Sequence, residues 1–173
     1  SRPSCIFGTM SLLDSLKDAN VEDIRKGLSE MSVEDRQNVL EALKMVESEA
    51  FKTLARSYRC SCSDGDWGDY SLQVTVNSDG SGVVKEQSVM FRDSPEETEK
   101  WYGNFTMKND LLTFHGTEME KSTSSAGGVF EEPKKAGNKT YYFKTLEDKK
   151  LVQVSASGEE LTMPFSDGQK ILK

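Results

Sequence analysis

The stretch WYGNFTMKNDLLTFHGTE, residues 101–118, contains a strand, a turn and a returning strand. Trp101, Phe105 and Met107 stand at alternate positions with polar residues between them, which is the period of a strand that buries one face. Asn109 and Asp110 follow at the end of this run, and both residue types favour tight turns. Residues 111–118 then resume an apolar pattern. The stretch therefore predicts an antiparallel β-hairpin.

The same pattern continues upstream of this hairpin. Residues 70–76 alternate between apolar and polar, and residues 83–91 form the next predicted strand. The turn between them contains Asp79-Gly80, a pair that adopts positive φ at little cost. Residues 92–100 are acidic around a proline and predict a loop or a short helical turn.

Downstream of the hairpin, residues 121–128 are small and polar, which predicts a mobile loop. Three further strands are predicted at residues 139–145, 151–156 and 161–165. The chain thus has about seven or eight short strands in succession, with no helical pattern between them, so parallel βαβ units are not expected. We predict an up-and-down antiparallel meander that closes into a small barrel, because closure removes the sheet edges.

The first 58 residues predict helices. Helices are expected at residues 12–18, 21–30 and 33–58, and each is preceded by a capping side chain with a carboxylate three residues further on. The predicted fold class is α+β, with an N-terminal arm at residues 1–10, a helical segment at residues 11–58 and the barrel at residues 59–173.

The barrel resembles the lipocalin or calycin group over roughly residues 60–165. The resemblance rests on the repeated strand–turn–strand units at residues 101–114 and 141–154, and on Gly65-Asp66-Trp67, which is similar to the Gly-x-Trp motif of the first lipocalin strand. No arginine occurs after Arg92, so the late basic residue that packs on this tryptophan in lipocalins is missing. The resemblance implies a barrel architecture, and barrels of this shape host many functions.

An eight-stranded barrel has room inside for its own side chains or for one small ligand. The first functional hypothesis is a non-enzymatic protein that holds a small apolar molecule in this interior. Val152, Leu161 and Phe165 are predicted to share the inward face with the candidate ligand contacts. These contacts are Trp101, Phe105, Met107, Phe114, Phe143, Val154 and Met163.

The second hypothesis is an accessory or structural subunit of a larger assembly, for example an organellar or photosynthetic one. It is motivated by the long predicted helix, and residues 1–9 would then form an anchoring arm. The chain begins at Ser1 without an apolar signal-peptide core. Two interpretations stay open: a targeting segment removed on import into an organelle, or a partly non-native leader.

An enzyme is the third and most remote hypothesis, and it would use His115, the only histidine. His115 has the opposite parity to Phe114, so it is expected on the outer face or an edge. Cys60 and Cys62 are two apart, and on a strand they would point to the same face. Cys60, Cys62 and His115 lack the Cys-x-x-Cys spacing of zinc sites, so no metal site is predicted. No active-site motif flanks any of the three, so no catalytic residue is predicted, and the cofactor is left unknown.

The charge of the chain limits its partners. The formal net charge is −7, and such a surface repels phosphate backbones, so no nucleic acid partner is expected. No apolar run approaches the roughly 20 residues that span a bilayer, so no membrane span is predicted. The remaining candidates are a small apolar molecule or a protein partner.

Overall fold

The computed structural model describes residues 21–65, 68–91 and 94–173. The chain divides into two compact units, one ending at Met45 and the other running from Val46 to Lys173. Helices come first and an antiparallel up-and-down barrel follows, which confirms the predicted α+β order. Three predicted features lie outside the described residues: the arm, the helix at residues 12–18, and Trp67 of the Gly-x-Trp motif.

Two helices are described, α1 at Val21–Glu30 and α2 at Val33–Leu54. Ser32 caps α2: its Oγ accepts a hydrogen bond from the Asp35 backbone N–H at 3.1 Å and donates to Asp35 Oδ2 at 2.7 Å. This is the predicted capping pattern, with Asp in the position that Glu or Gln usually takes. The carboxylate also complements the positive end of the helix dipole.

Helix α2 ends four residues earlier than the predicted limit of residue 58. Arg56 already begins the first strand, and the Tyr58 side chain is fully buried in the barrel. Tyr58 donates a hydrogen bond from its hydroxyl to the Leu54 carbonyl at 2.9 Å, which satisfies a carbonyl that the helix leaves open. The four-residue step from Leu54 to Tyr58 fits a helix, but the two-residue step from Tyr58 to Cys60 fits the strand that forms.

Nine strands lie in the described residues, and their bounds extend several of the predicted ones. They are β1 Arg56–Asp64, β2 Gly68–Val76, β3 Ser81–Val89, β4 Glu96–Lys108, β5 Leu111–Ser125, β6 Gly128–Glu131, β7 Lys135–Leu146, β8 Lys150–Val154 and β9 Ile171–Leu172. Neighbouring strands pair antiparallel in the order β1-β2-β3-β4-β5-β7-β8-β9, and β6 pairs with β5 outside this path.

The barrel is closed between its last and first strands by two backbone hydrogen bonds. The Arg59 N–H donates to the Lys173 carbonyl at 3.0 Å, and the Lys173 N–H donates to the Arg59 carbonyl at 3.1 Å. Leu172 beside this seam is fully buried, and it faces Leu151 across the β8–β9 pair. The sequence analysis did not identify β9.

Two segments predicted as loops are strands. β4 begins at Glu96, inside the segment predicted as a loop or helical turn, because Glu97 and Glu99 pair with β3 and β5. β5 continues to Ser125 and turns into β6, where a mobile loop was predicted. The reverse holds at residues 161–165, where a strand was predicted and the only ladder contact is an isolated bridge from Thr162 to Gln169.

The phenylalanine-rich part of the core lies in the half of the barrel next to the end of α2. Phe51 and Leu54 of α2 are buried with the apolar ends of the strands. Phe105 lies 4.9 Å from Phe114 between ring centroids, so aromatic side chains pack directly on one another in this half.

Among the helices of the described residues, neither combines the length and the hydropathy that crossing a membrane requires.

Candidate functional site

Charged side chains occupy inward positions at the end of the barrel opposite α2. Glu86 is opposite Leu72 of the core in the β2–β3 register, so both point inward. Glu99 is opposite Glu86, and Lys139 is opposite Gly116 on the face that continues to Tyr141. We call the following residues the polar cluster: Tyr70, Glu86, Glu99, Lys139, Tyr141 and Lys170.

Glu86 is the centre of the polar cluster. Its Oε1 accepts a hydrogen bond from the Tyr70 hydroxyl at 2.8 Å, and its Oε2 accepts one from the Tyr141 hydroxyl at 3.1 Å. The Lys139 Nζ lies 3.5 Å from the same Oε2. The carboxylate therefore ties β2, β7 and β3 together across the interior, with both of its oxygens in use.

Glu99 and Lys139 form the second half of the cluster. The Lys139 Nζ lies 3.0 Å from Glu99 Oε2, and the Trp101 Nε1 donates to the same oxygen at 3.3 Å. The Trp101 ring packs against Gly137, where a Cβ would come within 2.8 Å of it. The absence of a side chain at Gly137 thus leaves room for the Trp101 indole next to Glu99 and Lys139.

Burial and charge fix the protonation states in the cluster. Burial, followed by the nearby Glu86 carboxylate, raises the pKa of both Tyr70 and Tyr141, so both remain neutral hydrogen-bond donors. Burial opposes the charge on Lys139, but Tyr141, Glu99 and Glu86 outweigh it and raise its pKa. Burial likewise opposes the charge on Glu99, and the contact with Lys139 outweighs it, so the pKa of Glu99 is lowered.

Lys170 approaches the cluster from the loop before β9. Its Nζ donates to the Tyr70 hydroxyl at 3.0 Å and stands 4.6 Å from the centroid of the same ring. Cys60 lies nearby, and burial raises the pKa of its thiol to about 11 while Lys170 partly opposes the shift. At neutral pH Cys60 is thus a buried neutral thiol, which is unsuited to nucleophilic chemistry.

Gln153 is a buried polar residue with one side-chain atom that no described residue satisfies. Its side chain is 7% exposed, and its Oε1 is buried without a hydrogen-bond partner among the described residues. Gln153 is opposite Phe143 in the β7–β8 register, so it points into the barrel. An unpaired buried carbonyl costs roughly 1–3 kcal/mol, so the position calls for a donor that the described residues do not supply.

A groove of about 830 Å³ opens at this end of the barrel. Its lining includes Met90 and Phe91, which are 60% and 55% exposed, and also Met163 and Phe165. Met163 and Phe165 also pack against the core. Met163 and Phe165 therefore contact both the groove and the core of the barrel.

The structure divides the predicted ligand contacts into two groups. Trp101 lies at the polar end, where it contacts Glu99, and Met163 lines the groove. The other aromatic candidates and Met107 belong to the packed core in the half next to α2. These are Phe105, Met107, Phe114 and Phe143.

Val154 and Val152 point away from the interior, which corrects the predicted inward face. Val154 is opposite Tyr142, and Tyr142 faces the other side from Phe143. Val154 is nevertheless 2% exposed, because the chain continuing through Glu160 pairs with it and covers it. Both faces of β8 are buried, so hydrophobicity alone could not reveal that Leu151 and Gln153 are the inward residues.

The structure places the remaining candidates as follows. His115 is exposed and is opposite Asn104, away from the core, as predicted from its parity. Cys60 and Cys62 are free thiols on the same face of β1, and Cys60 is buried. In the described part of the chain, no group of three or more His, Cys, Asp or Glu residues is arranged to hold a metal ion.

Sequence reasoning missed the polar cluster, although a signal for it exists. Glu86 is in phase with Val84, Glu99 with Trp101, and Lys139 with Tyr141, so each charge occupies the parity of a buried neighbour. The strand registers bring Glu86, Glu99 and Lys139 to the same end of the barrel. A charge that recurs at inward parity on several strands is therefore the sign of a polar interior.

Fold and site together define the chain as a helix-preceded antiparallel β-barrel protein with a polar cluster at one end. No protein-family model matches it, and neither the curated proteins nor the solved structures contain a match. The structure supports the predicted barrel, but neither it nor these comparisons identify that barrel as a lipocalin or calycin.

Proposed function

We propose that this protein is a non-enzymatic binding protein that holds a small molecule at the polar end of its barrel. The observation that carries the proposal is the Oε1 of Gln153, which is buried in the barrel without a partner. The carboxylates of the polar cluster already accept hydrogen bonds from other members of the cluster. The Gln153 Oε1 is therefore the acceptor that still lacks a donor among the described residues. A bound molecule that donates a hydrogen bond there removes the desolvation cost.

The ligand combines polar and apolar parts, because the surrounding side chains do. Trp101 and Met163 of the predicted contacts stay in the proposed site, together with Phe165 and the groove wall. Phe105, Phe114 and Phe143 form the packed floor beneath it rather than a deep apolar cavity. This revises the expectation of a wholly apolar ligand enclosed in the barrel.

Native mass spectrometry of the protein isolated from its own source tests the proposal. We expect a species heavier than the 19.3 kDa chain by a few hundred daltons at most, with the excess lost on denaturation. Gln153→Leu should lower the occupancy, while Gln37→Leu, at an exposed position on α2, should not. A bare chain in both states would reject the proposal.

A protein partner is the second candidate function, and β6 carries it. All four residues of β6 are exposed, with Val129 at 65% and Phe130 at 68%, and among the described strands β6 pairs only with β5. Its other edge presents free backbone groups beside apolar side chains, which suits addition of an extended segment of a partner protein. The accessory-subunit hypothesis, in an organelle or elsewhere, would use this edge.

Blue native electrophoresis of source extracts separates the two candidates. If β6 docks on a partner, the wild-type chain migrates in a complex, and Phe130→Asp releases it while Leu146→Asp, at an exposed apolar site elsewhere, does not. Migration of the wild-type chain as a monomer would reject this second function and leave the binding proposal standing.

A further inference from the structure

We infer that the groove of about 830 Å³ docks a segment of a partner protein in which a bulky apolar side chain is flanked by Lys or Arg. Neither Gln153 nor Lys170 lines this groove, so the inference does not depend on a ligand at Gln153. The groove is also separate from the β6 edge, because no residue of β6 lies in its described lining. Three features support the inference: exposed apolar side chains, two carboxylates and an open form.

Exposed apolar side chains give the groove its contact surface. Met90 and Phe91, which follow β3, are 60% and 55% exposed, and Met163, Pro164 and Phe165 lie in the same lining. Single exposed apolar residues are ordinary on protein surfaces, but several that line one groove mark an interaction site. Methionine is flexible and polarisable, so a groove with two methionines can adapt to a bulky side chain of a partner.

Two carboxylates give the groove its preference for a basic partner. Asp64, at the end of β1, and Asp167, before β9, are in the lining, which contains no Lys, Arg or His among the described residues. Both are exposed, and neither forms an ion pair with a described residue. The formal net charge of −7 also attracts basic segments and repels acidic ones. Charge complementarity therefore selects Lys or Arg beside the apolar anchor.

The described bases nearest in sequence to these carboxylates do not line the groove. Lys170 donates from its Nζ to the Tyr70 hydroxyl at 3.0 Å, within the polar cluster. Arg59 lines a different pocket of the barrel. Asp64 and Asp167 are therefore available to the cations of a partner.

The open form of the groove fits a polypeptide segment. Apart from Met163 and Phe165, its lining residues are exposed. Small-molecule sites bury about 70–90% of the surface of their ligand, and a molecule held in this groove alone would stay largely in solvent. A segment that crosses the groove needs only one buried face, because its other face remains on its own protein.

Isothermal titration calorimetry of the full chain with three hexapeptides tests the inference. The acetylated and amidated probes are GRLFRG, GELFEG and GRSSRG, which carry both features, the apolar pair with reversed charge, and the charge without the apolar pair. We expect GRLFRG to bind about tenfold more tightly than either of the others, because each of these lacks one complementary contact. Its affinity should fall as salt rises, since salt screens the contacts with Asp64 and Asp167.

Matched variants assign the binding to the groove. Asp64→Asn combined with Asp167→Asn should weaken GRLFRG about tenfold, since two partly exposed ion pairs are lost. Asp110→Asn, at an exposed position between β4 and β5, should change nothing. Asp64→Lys combined with Asp167→Lys should reverse the preference, so that GELFEG binds more tightly than GRLFRG. A misfolded variant cannot produce this gain, so the reversal separates docking from a loss of structure.

The outcomes that would overturn the inference are specific. Equal affinity of GRLFRG and either control peptide would show that the groove does not select for both features, and binding of no probe would reject docking. A dimer in sedimentation velocity that Met90→Asp dissociates would assign the groove to a second copy of the chain instead. Migration of the wild-type chain as a monomer on native gels would reject docking at β6 but not the groove, because the titration uses the isolated chain.

Discussion

Glu86 stabilises the barrel by joining three strands through one carboxylate. Glu86→Gln replaces one oxygen with a donor, which then faces a phenol donor or the Lys139 cation. We expect the free energy of unfolding to fall by about 1–3 kcal/mol, measured by urea denaturation.

Glu97→Gln is the matched control for this change. Its side chain is 56% exposed and lies 3.5 Å from Lys121, so its loss should cost about 0–1 kcal/mol. Equal midpoints for the two variants would show that the interior carboxylate contributes no more than a surface one.

Cys60 shows how burial controls reactivity at a single residue. Burial raises the pKa of its thiol from 9.0 to about 11. Since only the thiolate reacts, iodoacetamide at pH 8 should modify Cys60 in the folded protein roughly a hundredfold more slowly than in urea. Reduced access adds to this effect.

The rate at Cys60 should continue to rise with pH up to about 11, because deprotonation is completed only there. Peptide mapping after a timed pulse resolves Cys60 from the other two cysteines. A folded-state rate equal to that in urea would contradict the buried position of the thiol.

At the scale of elements, the cap of α2 is the best-predicted local feature. Ser32→Ala removes the acceptor of the Asp35 N–H and should cost about 1 kcal/mol of local helix stability. Hydrogen exchange of the first-turn amides should accelerate about fivefold, which corresponds to that free energy.

Ser29→Ala is the control for the cap, because the bond of Ser29 Oγ within the described residues goes to the Lys26 carbonyl of α1. Unchanged exchange in Ser32→Ala, or the same acceleration in Ser29→Ala, would mean that Ser32 does not cap the helix.

The seam between β9 and β1 was not predicted from the sequence, and Leu172 tests its importance. Leu172 is fully buried, whereas its neighbour Ile171 points to the other face. Leu172→Ala should lower the free energy of unfolding by about 2–5 kcal/mol and Ile171→Ala by clearly less, measured in urea. Similar losses at the two positions would argue against closure through Leu172.

The facing of a strand was predictable where one face is solvated, and it was not where both faces are buried or both are exposed. Alternation located the hairpin at residues 101–118 and its turn at Asn109, which has the positive φ of a turn residue. In β8, whose two faces are both buried, it located the strand but not the inward residues, and it missed β6, whose residues are all exposed. An alternating pattern arises only where one face of a strand is buried and the other is exposed to solvent, and neither β6 nor β8 has two such faces.

At the scale of the whole molecule, the architecture follows from the succession of hairpins, but the site does not. Sequence reasoning assigned charged residues to solvent and aromatic residues to the ligand. In the structure, Phe114 and Phe143 pack in the floor, while Glu86 and Lys139 face the interior. Whether a charged side chain points into the barrel depends on which alternate positions of its strand face inward. That assignment has to be made for every strand before the charged positions can be seen to meet in the interior.

The central claim is that a small molecule occupies the polar end of the barrel and bonds to Gln153. A crystal structure of the protein purified from its own source tests this most directly. The account predicts non-protein density beside Gln153 and Lys170, with a donor within hydrogen-bond distance of the Gln153 Oε1. Density for water alone at this oxygen, or a Gln153 amide bonded to another side chain, would contradict it.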